Sequence, residues 1–339
     1  MQNTITKETA NRPYIKKTDS HVSLKNRWDH IKARIGINRM GHTVEPGLYA
    51  IGAPDGGSQV FVTANYTLSF DALRSALEGI SAYILVLDTF GVNVWCAAGK
   101  GTFNANELIS RIEAVSLKDV VSHRRLILPQ LSGPGIAARL VKKKSGFRAE
   151  FGPVRAADLP EYLKNGEADE RMRQVFFPLK DRLALVPLEL VYIVAPTAFV
   201  MLVFYFLLGP MASFGILGAV LAGTVLFPIL LPILPGRSFS GKGFFMGAFA
   251  VAAPFALTAY FTRVGAPMWA RLGETIFYMI ALPPLTAFLA LNFTGSTTFA
   301  SPSGVKKEIF DYFPVMAKMF GAGLVLAVSL TLIQVFGGV

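Results

Sequence analysis

The sequence predicts a doubly wound, Rossmann-like α/β domain followed by an all-α membrane domain of about five transmembrane helices. The chain of 339 residues is 52% hydrophobic, and its apolar residues are concentrated after residue 183. Before that point, short β-rich runs alternate with amphipathic helical stretches, a pattern typical of a mostly parallel sheet. We therefore expect four parts: a polar basic segment (1–44), the α/β domain (45–165), a linker (166–182) and the five-helix domain (183–339).

The N-terminal segment is polar and basic. Its first 35 residues lack an apolar stretch like that of a secretory signal, so we expect the soluble part to stay on the cytoplasmic side of the membrane. The formal net charge of +11 could suggest nucleic acid. However, the chain has no basic–aromatic stripe of a nucleic-acid module, and its cations flank the apolar spans. We expect them to meet anionic membrane lipid, with no nucleic-acid partner.

The α/β domain shows five apolar strand segments and several helical segments between them. The strands are expected over 47–52, 60–63, 83–87, 125–128 and 147–151, and the helices over 70–78 (with Ser69 as cap), 105–115, 136–143 and 156–163. Ligands of such sheets bind beyond the carboxyl ends of the strands. The segments that follow three of the strands, 63–66, 93–100 and 129–135, are therefore the candidate binding edge.

The segment from Asn93 to Lys100 contains the single cysteine of the sequence, Cys96. One thiol can serve as a soft metal ligand or as a nucleophile. Asn93 is a good helix N-cap and Gly99 a good terminating residue, so we expect a one-turn helix over 94–98. Cys96 would lie in its first turn, where free backbone N–H groups favour a thiolate.

The segment has three other interpretations. Gly99-Lys100-Gly101-Thr102 superficially resembles a phosphate-binding loop, but the required glycine is absent because residue 94 is valine. A nucleophilic cysteine enzyme needs a nearby histidine, and none of the four histidines is evidently placed for that role. An ordinary buried thiol stays open from composition alone.

The second half contains five apolar stretches long enough to cross a membrane. They cover 184–208, 212–235, 243–262, 270–292 and 314–337. On the side of the membrane that holds the N-terminus, nine lysines and arginines lie near the span ends, and on the opposite side there are two. Because cations concentrate on the inner side, this predicts an inner N-terminus and an outer C-terminus. The connection 292–305 is rich in hydroxyls and glycines. It is either a solvated loop or a docking or substrate-handling loop facing the soluble domain.

The run N-V-W-C-A-A-G-K over 93–100 resembles the signature of the HgcA family of mercury-methylating corrinoid proteins. Four further segments resemble the same family and its relative, the large subunit of the corrinoid iron–sulfur protein: 62–66, 127–131, 151–158 and 292–305. The order of an α/β domain and a five-span tail is also similar. The resemblance covers most of residues 45–339.

The resemblance implies a cobalamin-type corrinoid bound base-off, with Cys96 as the lower axial ligand of its cobalt. The Asp-x-His-x-x-Gly motif of histidine-ligated corrinoid proteins is absent, which agrees with this role. The implied cofactor-binding residues are Thr63, Ala64, Asn65 and Tyr66; Asn93, Val94, Trp95, Cys96, Ala97, Ala98, Gly99 and Lys100; and Pro129, Gln130, Leu131 and Gly135.

The function implied by the resemblance is methyl transfer from methyl-cobalt(III) corrinoid to Hg(II), giving methylmercury. The single cysteine leaves none for an iron–sulfur cluster, so the resemblance implies the ferredoxin-like HgcB as electron donor and a folate-linked methyl donor upstream. The implied location is the cytoplasmic membrane. Two alternatives remain at this point: a corrinoid methyl carrier for a non-mercury acceptor, and a non-catalytic membrane scaffold.

Overall fold

The computed structural model describes residues 14–38, 40–263, 265–295 and 302–336. The described residues divide into two compact units, one ending at Val175 and the other beginning at Phe176. The first unit contains all the strands of the described chain, and the second is entirely helical. This confirms the predicted fold class.

The first unit is built on a six-stranded sheet in the order β1-β2-β4-β3-β5-β6. Its strands are β1 (Ile15–Thr18), β2 (Gly47–Ile51), β3 (Val60–Ala64), β4 (Ala82–Leu87), β5 (Arg125–Leu128) and β6 (Arg148–Phe151). All neighbours are parallel except β2 and β4. The carboxyl ends of β3, β4, β5 and β6 therefore share one edge.

Helices cover both faces of this sheet, as the continuous apolar strands require. They are α1 (Leu24–Arg34), α2 (Thr67–Ala76), α3 (Val94–Lys100), α4 (Ala105–Ala114), α5 (Leu117–Val120), α6 (Ala138–Ser145), α7 (Leu159–Asn165) and α8 (Glu170–Arg173). On one face, Val60 and Val62 pack in a core with residues of α3 to α6. On the other, Phe61 and Ile84 pack with residues of α2, α7 and α8. Because both faces are buried, ligand access is left to the edges.

Two local predictions differ from the structure. Helix α2 begins at Thr67 rather than at 70, and Ser69 is not its cap: Tyr66 is the N-cap residue and makes no side-chain cap hydrogen bond. The backbone supports this earlier start, because the Thr67 N–H donates to the carbonyl oxygen of His42 at 3.0 Å. Strand β1 and helix α1 lie within the segment that the sequence describes only as polar and basic.

The second unit contains the five candidate membrane spans that the sequence predicts, Leu179–Leu208, Pro210–Leu230, Phe239–Thr262, Met268–Thr294 and Ser303–Phe336. Its helices are α9 (Leu179–Leu183), α10 (Val186–Leu208), α11 (Pro210–Leu221), α12 (Phe227–Leu230), α13 (Phe239–Met246), α14 (Ala253–Thr262), α15 (Met268–Gly295) and α16 (Pro302–Phe336). The N-in orientation stays a prediction.

Two spans contain a π-helical turn directly before a proline. These turns cover Ala222–Leu226, ahead of Pro228, and Gly247–Ala252, ahead of Pro254. Proline lacks an N–H and its ring clashes with the carbonyl four residues earlier, so the preceding turn widens and the helix continues. Both turns contact α15.

Glycines allow the spans to approach α15 closely. A Cβ placed on Gly243 would lie 2.6 Å from Cβ of Ala290, and one on Gly223 would lie 2.6 Å from Cβ of Leu289. Such distances are shorter than van der Waals contact, so only glycine fits at these positions. Gly321, by contrast, faces open space, since a Cβ there would meet nothing within 4 Å.

The predicted hydroxyl-rich loop over 292–305 is wrong at both ends. Helix α15 continues to Gly295 and α16 begins at Pro302, so only 296–301 are not assigned to a helix, and they lie outside the described residues. Pro302 is suited to the first turn of a helix, where its missing N–H has no intrahelical partner to lose. The fifth span therefore begins well before the predicted residue 314, and Pro314 lies inside it.

Candidate functional site

The candidate site lies at the carboxyl edge of the sheet, where the loops after β3, β4 and β5 lie side by side. Strand β3 pairs in parallel with both β4 and β5. The segment after β4 leads through residues 88–93 into α3, which carries Cys96. This is the edge at which the sequence predicts ligand binding.

Asn65, directly after β3, organises the loop that precedes the cysteine helix. Its side-chain oxygen accepts from the backbone N–H groups of Thr89 (3.1 Å) and Gly91 (3.0 Å), and the Thr89 hydroxyl lies 2.8 Å from the same oxygen. Its amide nitrogen donates to Asp88 Oδ1 at 3.2 Å. Asn65 is 4% exposed, so its polar groups are used inside the protein.

The same loop makes a tight turn through two left-handed residues. Phe90 has φ of 55° and Gly91 φ of 72°, and the Val92 N–H donates to the Thr89 carbonyl at 3.1 Å. A Cβ at Gly91 would lie 2.9 Å from Cγ2 of Thr43, so glycine is required there for space as well as for φ. Phe90 is 65% exposed in a conformation that costs non-glycine residues energy. The turn fixes the point at which α3 begins.

Helix α3 begins as predicted and ends later. Asn93 is its N-cap, and its side-chain oxygen accepts from the N–H of Cys96 at 2.9 Å. The backbone N–H of Cys96 is therefore not free, contrary to our expectation for the first turn. The helix continues to Lys100, and Gly101 (φ 79°), not Gly99, is the left-handed residue that terminates it.

Helix α3 has one face in the core and one face open. Ala97 and Ala98 are buried in the core beneath the helix, whereas Cys96 is half-buried. Gly99 and Lys100 lie one turn after Cys96, on the same side, and are exposed. A Cβ added to Gly99 would meet nothing within 4 Å. The thiol therefore borders an open surface, on which the following turn carries no side chain at Gly99 and the Lys100 side chain beside it.

The segment after β5 packs against α3. Gln130–Gly135 forms a 3₁₀ helix, and a Cβ at Gly135 would overlap the carbonyl oxygen of Phe103 and lie 3.3 Å from Cα of Ala98. Ser132 is fully buried, and its hydroxyl donates to the Pro129 carbonyl at 2.8 Å. The contact of the 3₁₀ helix with α3 thus depends on the absence of a side chain at residue 135.

The predicted site residues fall into two groups in the structure. The exposed or half-buried group comprises Tyr66, Asn93, Trp95, Cys96, Gly99, Lys100, Pro129, Gln130, Leu131 and Gly135, and the buried group comprises Thr63, Ala64, Asn65, Val94, Ala97 and Ala98. Only the first group has surface to offer a ligand. In addition, the Gln130 side-chain oxygen accepts from Arg173 at 3.3 Å.

Sequence reasoning missed the residues that hold the edge together: Asp88, Thr89, Phe90 and Gly91. The Asp88 N–H donates to Glu107 Oε1 at 2.9 Å, which ties the loop to α4. Its carboxylate accepts from the Phe90 N–H at 3.0 Å. The available signal was the run Asp-Thr-Phe-Gly between a buried strand and an N-cap asparagine, which is a typical turn composition.

The opposite edge of the sheet also has polar side chains, but they form a turn. Asp55 accepts from the Gly57 N–H at 3.0 Å and from the Ser58 hydroxyl at 2.9 Å. Hydrogen bonds from Ser58 and Gly57 lower the pKa of the Asp55 carboxyl from its usual value. The His123 ring lies 2.9 Å from the Ser58 carbonyl oxygen. These groups lie on the surface, but they bind one another as a turn, which leaves the cysteine edge as the candidate site.

Within the described ranges, no group of three or more His, Cys, Asp or Glu side chains could hold a metal ion. A metal at the cysteine edge would need its other ligands from a cofactor. A single thiolate beside an open surface is a suitable donor set for a metal that a planar macrocycle already holds.

Comparison with known proteins gives matches to the α/β unit. Residues 37–156 match the family "CdhD: CO dehydrogenase/acetyl-CoA synthase delta subunit". Three curated relatives are acetyl-CoA decarbonylase/synthase complex gamma subunits. Those of Methanopyrus kandleri, Archaeoglobus fulgidus and Methanocaldococcus jannaschii are 36%, 33% and 33% identical over 126, 126 and 129 residues, which is 36%, 36% and 38% of this chain.

The chain spans about a quarter (26%) of the length of these relatives. The match includes β2 to β6 and therefore the whole cysteine edge, and ends before the second unit begins. The matches relate the α/β unit to subunits of CO dehydrogenase/acetyl-CoA synthase and acetyl-CoA decarbonylase/synthase complexes. None of these names mentions mercury.

Proposed function

We propose that this chain is a membrane-anchored corrinoid-dependent methyltransferase that converts Hg(II) to methylmercury, with Cys96 as the lower axial ligand of cobalt. The observation that carries the proposal is the half-buried Cys96 thiol on the open face of α3, at the ligand-binding edge of the sheet. The similarity of the sequence over 93–100 to the HgcA signature supplies the acceptor.

The cysteine edge fits a corrinoid. The flat ring would rest on the open face of α3, where Gly99 leaves space beside the thiol. Trp95 and Lys100 border this face, and the half-buried Tyr66, Pro129 and Leu131 are available to the ring edge or its nucleotide tail. Thr63, Ala64, Asn65, Val94, Ala97 and Ala98 are buried and would support the site from below. Gln130 and Gly135 would contribute through the 3₁₀ helix that packs against α3.

When bound, the corrinoid supplies a cobalt-held methyl group that can leave with its electron pair to an electrophilic acceptor such as Hg(II). The protein's own contribution is to hold one thiolate at a fixed position. Cys96 must lose its proton to ligate a metal, and the metal favours that loss. The Asn93 cap fixes the first turn of α3, and Asn65 fixes the loop that leads into it. Together they limit the movement of the sulfur.

The partners follow from the same proposal. The single cysteine of this sequence cannot hold an iron–sulfur cluster, so we propose that the electrons that would reduce cobalt(III) after methyl transfer come from the ferredoxin-like HgcB. A folate-linked system would provide the methyl group. The proposed location is the cytoplasmic membrane, with the α/β unit and the N-terminus in the cytoplasm.

The test is the visible spectrum and the Hg(II) methylation rate of the full chain, purified in detergent with a corrinoid and compared with Cys96→Ala. We expect the wild type to retain the corrinoid and to show a thiolate-dependent spectral shift that Cys96→Ala lacks. Methylation should fall by at least about 100-fold in the variant, because the thiolate that would hold the cobalt is lost. Cys96→His tests whether another axial donor restores the rate.

Two results would contradict the proposal. If the wild type binds no corrinoid, the enzyme function is wrong and a membrane scaffold becomes the better explanation. If the wild type and Cys96→Ala have the same spectrum and the same rate, the axial role of the thiol is wrong. Asn106→Ala, an exposed position on α4, serves as the control for general damage to the unit.

The names of the relatives favour a second candidate, a corrinoid methyl carrier whose acceptor is not mercury. These relatives are subunits of acetyl-CoA decarbonylase/synthase complexes. The two candidates share Cys96 and the cofactor and differ in the acceptor. To separate them, methyl-loaded protein is incubated with Hg(II) or with a thiol at equal concentration, and the rate of methyl transfer is measured. A mercury methyltransferase should transfer its methyl group faster to Hg(II) than to the thiol.

A further inference from the structure

Helix α1 is amphipathic in the unusual sense that its apolar side faces outward. Leu24 is 83% exposed, Trp28 58% and Ile31 46%. At about 100° per residue these three side chains lie along one side of the helix. A helix on a soluble unit normally turns such a stripe towards the core, so an outward apolar ridge indicates that something else covers it.

The opposite side of α1 is held to the unit by polar contacts. His30 Nε2 lies 2.7 Å from Asp71 Oδ2, and Asp71 is 2% exposed and also accepts from Arg74 Nε at 2.6 Å. Asp29 Oδ1 lies 2.8 Å from Nδ1 of His42. These contacts fix the rotation of the helix about its axis. The outward position of the ridge is therefore built into the fold.

Cations flank the ridge on both sides. From the same helical geometry, Lys25 and Lys32 lie on one side of it, and Arg27 and Arg34 on the other. Lys32 lies over the Trp28 ring, with its nitrogen 5.9 Å from the ring centroid. Within α1 the acidic residue is Asp29, which is paired with His42 on the inner side. The outward surface is thus an apolar strip between two cationic borders.

We propose that α1 binds the surface of an anionic phospholipid bilayer, with Leu24, Trp28 and Ile31 inserted among the headgroups. An apolar strip with tryptophan between cations is the composition of helices that lie in the membrane interface. The same chain contains five candidate spans, which tether the unit to a bilayer and raise its effective concentration. A second copy of the chain fits less well, because it would place like charges opposite one another.

Helix α6 is a natural comparison within the same unit. It carries Arg139, Lys142, Lys143 and Lys144, so it is at least as cationic as α1. Its apolar residues are turned inward, however: Val141 is fully buried and Leu140 is partly buried against the core. Charge without an apolar ridge should give weak, purely electrostatic attraction. Substitutions in α6 therefore provide a matched control.

The test uses Trp28 as a reporter in the full chain, reconstituted in lipid nanodiscs. Trp95→Phe and Trp269→Phe leave Trp28 as the remaining tryptophan. Its emission is measured in discs whose acyl chains are brominated near the headgroup, relative to unbrominated discs. We expect roughly twofold quenching when the lipid contains phosphatidylglycerol, and little with phosphatidylcholine alone, because each cation near an anionic surface contributes attraction. About 1 M salt should reduce the quenching by screening.

Lys25→Glu combined with Lys32→Glu should abolish the difference between the two lipids, whereas Lys142→Glu combined with Lys143→Glu should leave it unchanged. The proposal is overturned by equal quenching in both lipids that salt does not alter, or by no quenching in either. It is also overturned if, in detergent, Trp28 becomes protected from solvent only as the protein concentration rises. That result would mean that a second copy of the chain covers the ridge. Circular dichroism checks that each variant retains its helix content.

Discussion

The two units of this protein use their polar side chains in opposite ways. In the α/β unit, Asn65, Asp88, Thr89 and Asn93 gather at one edge and bond to one another's loops. In the helical unit many of the described polar side chains instead donate to a backbone carbonyl of another helix, apart from a group formed by Ser238, Ser240, Glu308 and Tyr312. Examples are Thr286 with Ala219, Arg182 with Pro228 and Thr331 with Leu207.

The difference indicates where chemistry can occur. A group of polar side chains that fixes the geometry of one loop prepares a site, because the loop then presents a side chain such as Cys96 at a defined place. Isolated hydrogen bonds to carbonyls between helices stabilise packing in an apolar medium. We therefore expect substitutions at the edge to affect the cofactor, and substitutions in the helical unit to affect stability without affecting the cofactor.

The largest effect is expected for Asn65→Leu. It removes the acceptor of several buried donors, each of which costs about 1–3 kcal/mol when left unpaired, so the free energy of unfolding of the α/β unit should fall by several kcal/mol. Corrinoid retention should be lost with it. Thermal unfolding and the visible spectrum of the purified protein measure both. Stability within error of the wild type would show that the loop does not depend on this side chain.

Gly135→Ala should weaken corrinoid binding at least about tenfold, because the new methyl group forces the 3₁₀ segment away from α3. Gly133→Ala is the matched control, since a Cβ at Gly133 meets nothing within 4 Å. Equilibrium titration with a corrinoid measures the difference. Equal affinities of the two variants would remove the 3₁₀ segment from the site.

In the helical unit, Gly223→Ala should reduce the free energy of unfolding by about 1–3 kcal/mol, because the new Cβ would clash with the Leu289 side chain and with the Thr286 carbonyl. Gly321→Ala, at a position that faces open space, should have no such effect. Both variants should keep the wild-type corrinoid spectrum. A changed spectrum in Gly223→Ala with unchanged stability would contradict the division of roles between the units.

The smallest effect is expected for Thr286→Val, which keeps the shape of the side chain and removes the hydrogen bond to the Ala219 carbonyl at 3.2 Å. Hydrogen bonds between spans contribute about 0.6 kcal/mol on average, so the melting temperature should shift only slightly. Differential scanning fluorimetry in detergent measures this shift. A decrease in melting temperature as large as that of Gly223→Ala would mean that polar contacts, rather than close packing, contribute most to the stability of this unit.

The sequence predicts β2 to β6 to within one residue at each end, because their apolar runs are continuous and end at turn residues, but it misses β1. It also predicts the Asn93 cap, which depends only on local geometry. It cannot predict that Asn65 turns inward, because the partners of its side chain come from a loop more than twenty residues later. Helix α1 is missed for a related reason: its polar side contacts the protein, which reverses the usual pattern.

The end of α3 shows another limit of local rules. Gly99 and Gly101 are both suitable terminating residues, and the sequence favours the first. The structure uses Gly101, because the Thr102 and Phe103 N–H groups both donate to the Ala97 carbonyl and extend the helix by two residues. Tertiary contacts of Phe103, which is fully buried, decide between the two glycines.

The Asn65 side chain has a consequence for the order in which the protein matures. Its acceptors and donors connect the end of β3 to the loop after β4, so this loop can take its final shape only after the two strands have paired. A newly made chain would therefore be unable to seat a corrinoid until its central sheet had assembled. Under the proposed function, cofactor loading would distinguish chains with a correctly paired sheet, which would bind the corrinoid, from chains with a mispaired sheet, which would not.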